Sequence, residues 1–166
     1  MKQCLSLILI LTAFTITSEA QKPNTKHCYK LETETDLFDG TSHTTMSGLK
    51  YQMSMLTFHQ FLNAVGDTTF MVFANITASG YADDPGMILL FDDGSRLEFP
   101  ESTHSSSATA YGWSHMGTAR LSRDELQQFV EKGVRAIKIG RYDQEINGNA
   151  GKSVWMTSAY CVANHR

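Results

Sequence analysis

Apolar and polar residues alternate with a period of two along much of this chain, the pattern of half-buried β-strands. Residues 27–36 set Tyr29, Leu31, Thr33 and Thr35 against Lys30, Glu32 and Glu34, which predicts a short first strand. Residues 49–58 alternate Leu49, Tyr51, Met53 and Met55 with Lys50, Gln52 and Ser54, a second one. In residues 68–78, Phe70, Val72, Ala74 and Ile76 share one face, while Met71 and Phe73 stand on the other. A strand apolar on both faces belongs in the middle of a sheet. Between these, Phe58, Phe61, Leu62 and Val65 recur at helical spacing over too short a stretch to choose between helix and strand.

The unbroken apolar run 87–91, the turn residues Asp92-Asp93-Gly94 and the alternating run 96–99 predict a β-hairpin with Leu97 and Phe99 toward the core. Serine-rich residues 102–107 read as an exposed connection. Residues 108–119 alternate Tyr111, Trp113 and His115 with smaller or more flexible side chains, and residues 134–142 set Ile137 and Ile139 against Lys138. Both are predicted strands.

One helix is signed at each end. Ser122 and Glu125 form the capping-box pair, Leu121 and Leu126 take the staple positions, and Leu126, Phe129 and Val130 make an apolar stripe. Gly133 is the expected left-handed residue after the last turn, with Val134 in reach of Phe129. The helix is placed at about 123–132. In residues 152–163, Val154, Trp155, Ser158, Ala159 and Val162 fit one face of a second, C-terminal helix, while Val154, Met156 and Ser158 fit a strand equally; the helix is favoured. The chain is therefore expected to be α+β and β-rich: an antiparallel sheet or sandwich with helix on one face or end. It lacks the βαβ rhythm and glycine-rich turn of a dinucleotide fold.

The first twenty residues change the setting. Lys2, an apolar stretch too short to span a bilayer, and Ser18-Glu19-Ala20 together read as a secretory signal peptide, with one globular domain in 21–166. The expected location is exported, periplasmic or extracellular, without a transmembrane segment. A net charge of −3 and no Lys/Arg cluster argue against nucleic acid as a partner. Beyond Cys4 in the leader, the cysteines are Cys28 and Cys161, near opposite ends of the mature chain. A disulfide stapling the termini is the simplest outcome of export, against free thiols or a metal pair.

No motif carries chemistry. Gly151-Lys152-Ser153 ends like a phosphate loop, but Ile146 stands where the spacing requires glycine. The histidines at 27, 43, 59, 104, 115 and 165 match no metal-ligand spacing, although His27 and His165 would meet near a Cys28–Cys161 bridge. Asp83-Asp84 and Asp92-Asp93 lack the spaced pattern of a calcium loop and read as turn residues. Asn75-Ile76-Thr77 is a sequon inside a strand pattern. Serines with His104 or His115 allow a nucleophilic site to be imagined, but there is no GxSxG elbow. No catalytic residue, metal or cofactor is assigned. Tyr111, Trp113 and His115 are the candidate binding residues: on an exposed strand face they form a stacking platform for a sugar or peptide, and on a buried face they are core.

The mature chain resembles small exported bacterial domains of the Gram-negative envelope or secreted fraction, whose function is uncharacterised. The resemblance rests on Ala20-Gln21, Cys28, the segment 36–40 (DLFDG), ILLFDDGSRLEF, LSRDELQQFVEKGVRAIKIG and Cys161. It implies an envelope or secreted setting and brings no substrate or catalytic residue. The expected function is non-catalytic binding of an envelope protein, peptide or glycan. The alternatives are a hydrolase whose site is assembled from distant residues, and a purely structural component. Oligomeric state has no signature here.

Overall fold

Residues 23, 25–46, 55–146 and 148–165 are described by a computed structural model. A 3-10 turn, Thr25–Lys30, leads into β1 (Leu31–Thr35), β2 (Ser42–Met46), β3 (Leu56–Leu62) and β4 (Thr68–Ala78). Next come β5 (Met87–Phe91), β6 (Arg96–Phe99), β7 (Thr103–Thr109) and β8 (Gly112–Leu121). Helix α1 (Arg123–Glu131), β9 (Val134–Ile139), β10 (Tyr142–Glu145) and helix α2 (Asn149–Ala163) complete the order. The fold is α+β with antiparallel sheets, as the alternation predicts.

The larger sheet runs β1-β2-β3-β4-β8-β7 and the smaller β10-β9-β5-β6. The smaller sheet lies over β4 and β8, and α2 covers β2 and β3 beside α1. One face of the larger sheet is thus shared between a second sheet and a pair of helices. The two sheets come close at Gly117, where a Cβ would stand 3.2 Å from Met87 Sδ and 3.5 Å from Ile139. Phe129 of α1 joins the three layers, meeting Phe58 edge-on at 4.9 Å and Phe91 at 5.3 Å, with all three rings buried. Such edge-to-face pairs add to the area the rings bury.

The N-terminus of α1 is built as its sequence reads. Glu125 N donates to Ser122 Oγ at 3.2 Å, and Ser122 N donates to Glu125 Oε2 at 2.7 Å. The C-terminus is not. Lys132 is already extended (φ −123°, ψ 137°), and Gly133 is not in the left-handed region. A Cβ there would crowd the Asp92 carboxylate, which Lys152 Nζ grips, so that side chain would have to shift. The chain passes straight into β9, whose Val134 pairs with Phe91.

Other expectations shift with tertiary context. The first strand starts at Leu31, because residues 25–30 form the 3-10 turn that carries Cys28. Residues 59–62 extend β3, where pairing with both β2 and β4 overrides the helical spacing. Serine-rich 103–109 is the edge strand β7, paired to β8, since hydroxyl side chains suit a strand half open to water. Of the predicted strand 49–58, residues 49–54 lie outside the described residues. Residues 152–163 are helical within α2, and Trp155, Met156, Thr157, Ser158, Ala159, Cys161, Val162 and Ala163 are all buried. Burial on nearly every side blurs the periodicity. Cys161 is bonded to Cys28, tying α2 to the 3-10 turn.

Candidate functional site

The three residues singled out on the strand after β7 part company in the structure. Tyr111 is at the β7–β8 turn, almost fully exposed, and so does not share a strand face with the other two. Trp113 opens β8 half-buried, with the exposed ring of Tyr81 edge-on at 5.2 Å. His115 is completely buried. Tyr81, Tyr111 and Trp113 therefore gather at one end of the larger sheet, and His115 belongs to a polar cluster beneath.

That cluster organises the β4–β5 connection. Residues 79–86 belong to neither sheet, and three of their alternate carbonyls meet side chains of β7 and β8. His115 Nε2 bonds the carbonyl of Gly80 at 2.9 Å, Ser106 Oγ that of Ala82 at 2.6 Å, and His104 Nδ1 that of Asp84 at 3.0 Å. Side chains of β7 and β8 hold this segment as a backbone ladder would. Arg141 fastens it from the other side through the Asp84 carboxylate at 2.6 Å. The Arg141 hydrogen bond and charge, together with that of His104, hold the Asp84 carboxyl below the usual range. The Tyr142 ring packs on His115 at 4.9 Å between centroids.

Ser106 Oγ also lies 2.8 Å from His115 Nδ1 and 3.1 Å from His104 Nε2. The spacing resembles a nucleophile beside its base. The chemistry differs, because a carbonyl can only accept. The single Ser106 hydrogen is committed to Ala82, and His115 has no exposed edge to receive a substrate. The arrangement builds a fastened loop better than it builds a hydrolase. Among the described residues, no three His, Cys, Asp or Glu side chains gather into a metal-ligating group.

The other residues in question are structural. Lys152 of the partial phosphate-loop motif sits in α2 and pairs with Asp92, while Lys132 pairs with Asp93 at 3.0 Å. The double-aspartate turn thus anchors both helices to the β5–β6 hairpin. A hydrogen bond from the Ser95 hydroxyl, then one from Lys132, holds Asp93 at a pKa of about 2. Asn75 of the sequon is in β4, its Oδ1 accepting from Ser114 Oγ at 2.9 Å.

The opposite end of the larger sheet carries what sequence reading missed. In the β1–β2 turn, Leu37 is 96% exposed and Phe38 102%. In the neighbouring β3–β4 turn Val65 is 82% exposed, and a Cβ on Gly40 of the first turn would lie 3.5 Å from Ala64 of the second. Both turns are closed by side chains. Asp36 Oδ1 accepts from Phe38 N at 2.7 Å, and Asp39 Oδ1 accepts from Thr41 N at 2.8 Å. Asn63 Oδ1 accepts from Val65 N at 3.2 Å and Asp67 N at 2.8 Å. These hydrogen bonds satisfy the turn backbone and hold the apolar side chains outward. Glu34, Asp36, Asp39 and Asp67 lie in or next to these two turns, and neither Lys nor Arg occurs in residues 31–46 or 55–70. The signal in the sequence was the pair Leu37-Phe38 between two aspartates, which turn chemistry alone does not require.

Comparison with known proteins finds no matching family model, no similar curated protein and no similar solved structure.

Proposed function

We propose that this chain is an exported, non-catalytic binding module, and that it engages a protein partner through Leu37, Phe38 and Val65. The observation that carries the reading is the full exposure of Leu37 and Phe38 on a turn closed by its own aspartates. A turn whose backbone is already fixed has less left to order on docking, so more of the burial of its apolar side chains goes into affinity. The carboxylate rim selects the partner: an apolar pocket edged by Lys or Arg, reached faster at low salt. The Cys28–Cys161 disulfide suits an oxidising compartment. No helix among the described residues is long and apolar enough to cross a membrane.

A photo-cross-linking residue at position 38 tests this. In extract of the cell envelope or culture fluid it should give one discrete adduct, suppressed by excess unlabelled protein and by 0.5 M salt. The same residue at position 111 should give none. An adduct only from position 111 moves the binding surface to the Tyr81–Tyr111–Trp113 end, where aromatic faces suit a glycan. Salt-independent binding of the purified protein to phosphatidylcholine vesicles, lost in F38S, replaces the protein partner with lipid.

A further inference from the structure

We infer that His104, His115 and Ser106 form a binding site for a borderline divalent cation of the zinc class, distinct from the exposed turns. The reasoning is a count of hydrogens. Three carbonyls, Gly80, Ala82 and Asp84, accept from His115 Nε2, Ser106 Oγ and His104 Nδ1. Those bonds use the one N–H of each neutral imidazole and the one O–H of the serine. What remains is lone pairs. His104 Nε2 and His115 Nδ1 stand 3.3 Å apart, with Ser106 Oγ 3.1 Å from the first and 2.8 Å from the second. Three electron-rich atoms converge with no hydrogen left to place between them.

The dimensions suit a metal. Zinc bonds to imidazole nitrogen and oxygen are about 2.0–2.2 Å, and the ligands of a tetrahedral ion then lie roughly 3.3 Å apart. An ion about 2.05 Å from all three atoms would stand roughly 1 Å out of their plane. The outer partners fit as well. A metal-binding histidine commonly donates its other N–H to a carbonyl or carboxylate, which fixes tautomer and ring direction, and both histidines do so here. Two imidazoles and a hydroxyl, with no carboxylate or thiolate, favour zinc or copper over magnesium or calcium. The ion meets lone pairs alone, so the three bonds to the 79–86 segment stay intact. Binding should therefore tighten that segment.

The test uses the disulfide-intact mature protein and zinc chloride at pH 8, with two buffers of different ionisation enthalpy. One saturable site is expected, with the same heat in both buffers and a raised melting temperature. Zinc should shift the ring signals of His104 and His115 in a histidine-detected NMR spectrum of the unmutated protein, leaving His43 and His59 in place. H104Q should weaken binding at least tenfold, and H43Q should leave it unchanged. Absence of saturable binding overturns the site, as does zinc that moves only His43 and His59. So does an NMR titration in which His104 and His115 respond to pH but not to zinc, which would make the occupant a proton.

Discussion

His43 Nε2 and His59 Nδ1 lie 2.6 Å apart across β2 and β3, close enough for a single hydrogen between them. The rings sit on the face of the larger sheet away from the core. Phe61 stacks on His43 at 4.6 Å, Phe73 packs on His59 at 4.4 Å, and Thr57 Oγ1 is 3.1 Å from His59 Nε2. Burial, and then the charge of His43, push the pKa of His59 down to about 4.

Stability should therefore fall as the solution is acidified from about pH 6.5 to 4. In that window the unfolded chain takes up a proton at His59 that the folded chain refuses, and below it the loss is complete. Urea unfolding midpoints at pH 7.5 and 5 measure the slope. H59Q should flatten it, and an unchanged slope would remove His59 as its source.

Gly133 and Gly94 separate two reasons for a glycine. G133A pushes the Asp92 carboxylate aside and loosens its pair with Lys152, at a cost of up to about 1 kcal/mol. Gly94 has open space around it but a φ of +82°, so G94A should cost about 1 kcal/mol from backbone strain alone. Denaturant melts compare them. Raising the salt should shrink the cost of G133A and leave that of G94A unchanged, because only the first variant disturbs an ion pair.

S106A leaves the Ala82 carbonyl without its hydroxyl partner and should destabilise by about 1–3 kcal/mol. The damage should be local. Hydrogen exchange is expected to accelerate in residues 79–86 ahead of β4, because the segment loses the middle of its three side-chain ties. Uniform acceleration across the molecule would show that the cluster supports the whole core.

Reduction, or C28S, releases α2 from the 3-10 turn. The bridge spans 133 residues of sequence, and the chain-entropy model sets an upper bound of about 5 kcal/mol for such a loop. A melting temperature lower by about 5–10 °C is expected, with protease cleavage appearing first near the N-terminus. Native thiol titration before reduction should find neither Cys28 nor Cys161.

Much of this architecture was legible in the residues themselves, where local chemistry and final environment agree. The β5–β6 hairpin, the capping box of α1 and the pairing of Cys28 with Cys161 each follow from a few neighbouring side chains or from the redox setting. Alternation likewise identifies β4 and β9, since period two survives whenever one face is drier than the other. Tertiary structure decided the rest. Residues 59–62 became strand because two partners supplied hydrogen bonds that helical spacing could not outweigh. Gly133 proved to be a matter of space beside Asp92, a residue distant in sequence. His104, Ser106 and His115 carry no motif, because their relation is to three successive alternate carbonyls of a segment that only the fold brings over them. The exposure of Leu37 and Phe38 was equally hidden: an apolar pair beside a turn is ordinary in sequence, and only the packed sheet shows that no other described part of the chain covers it.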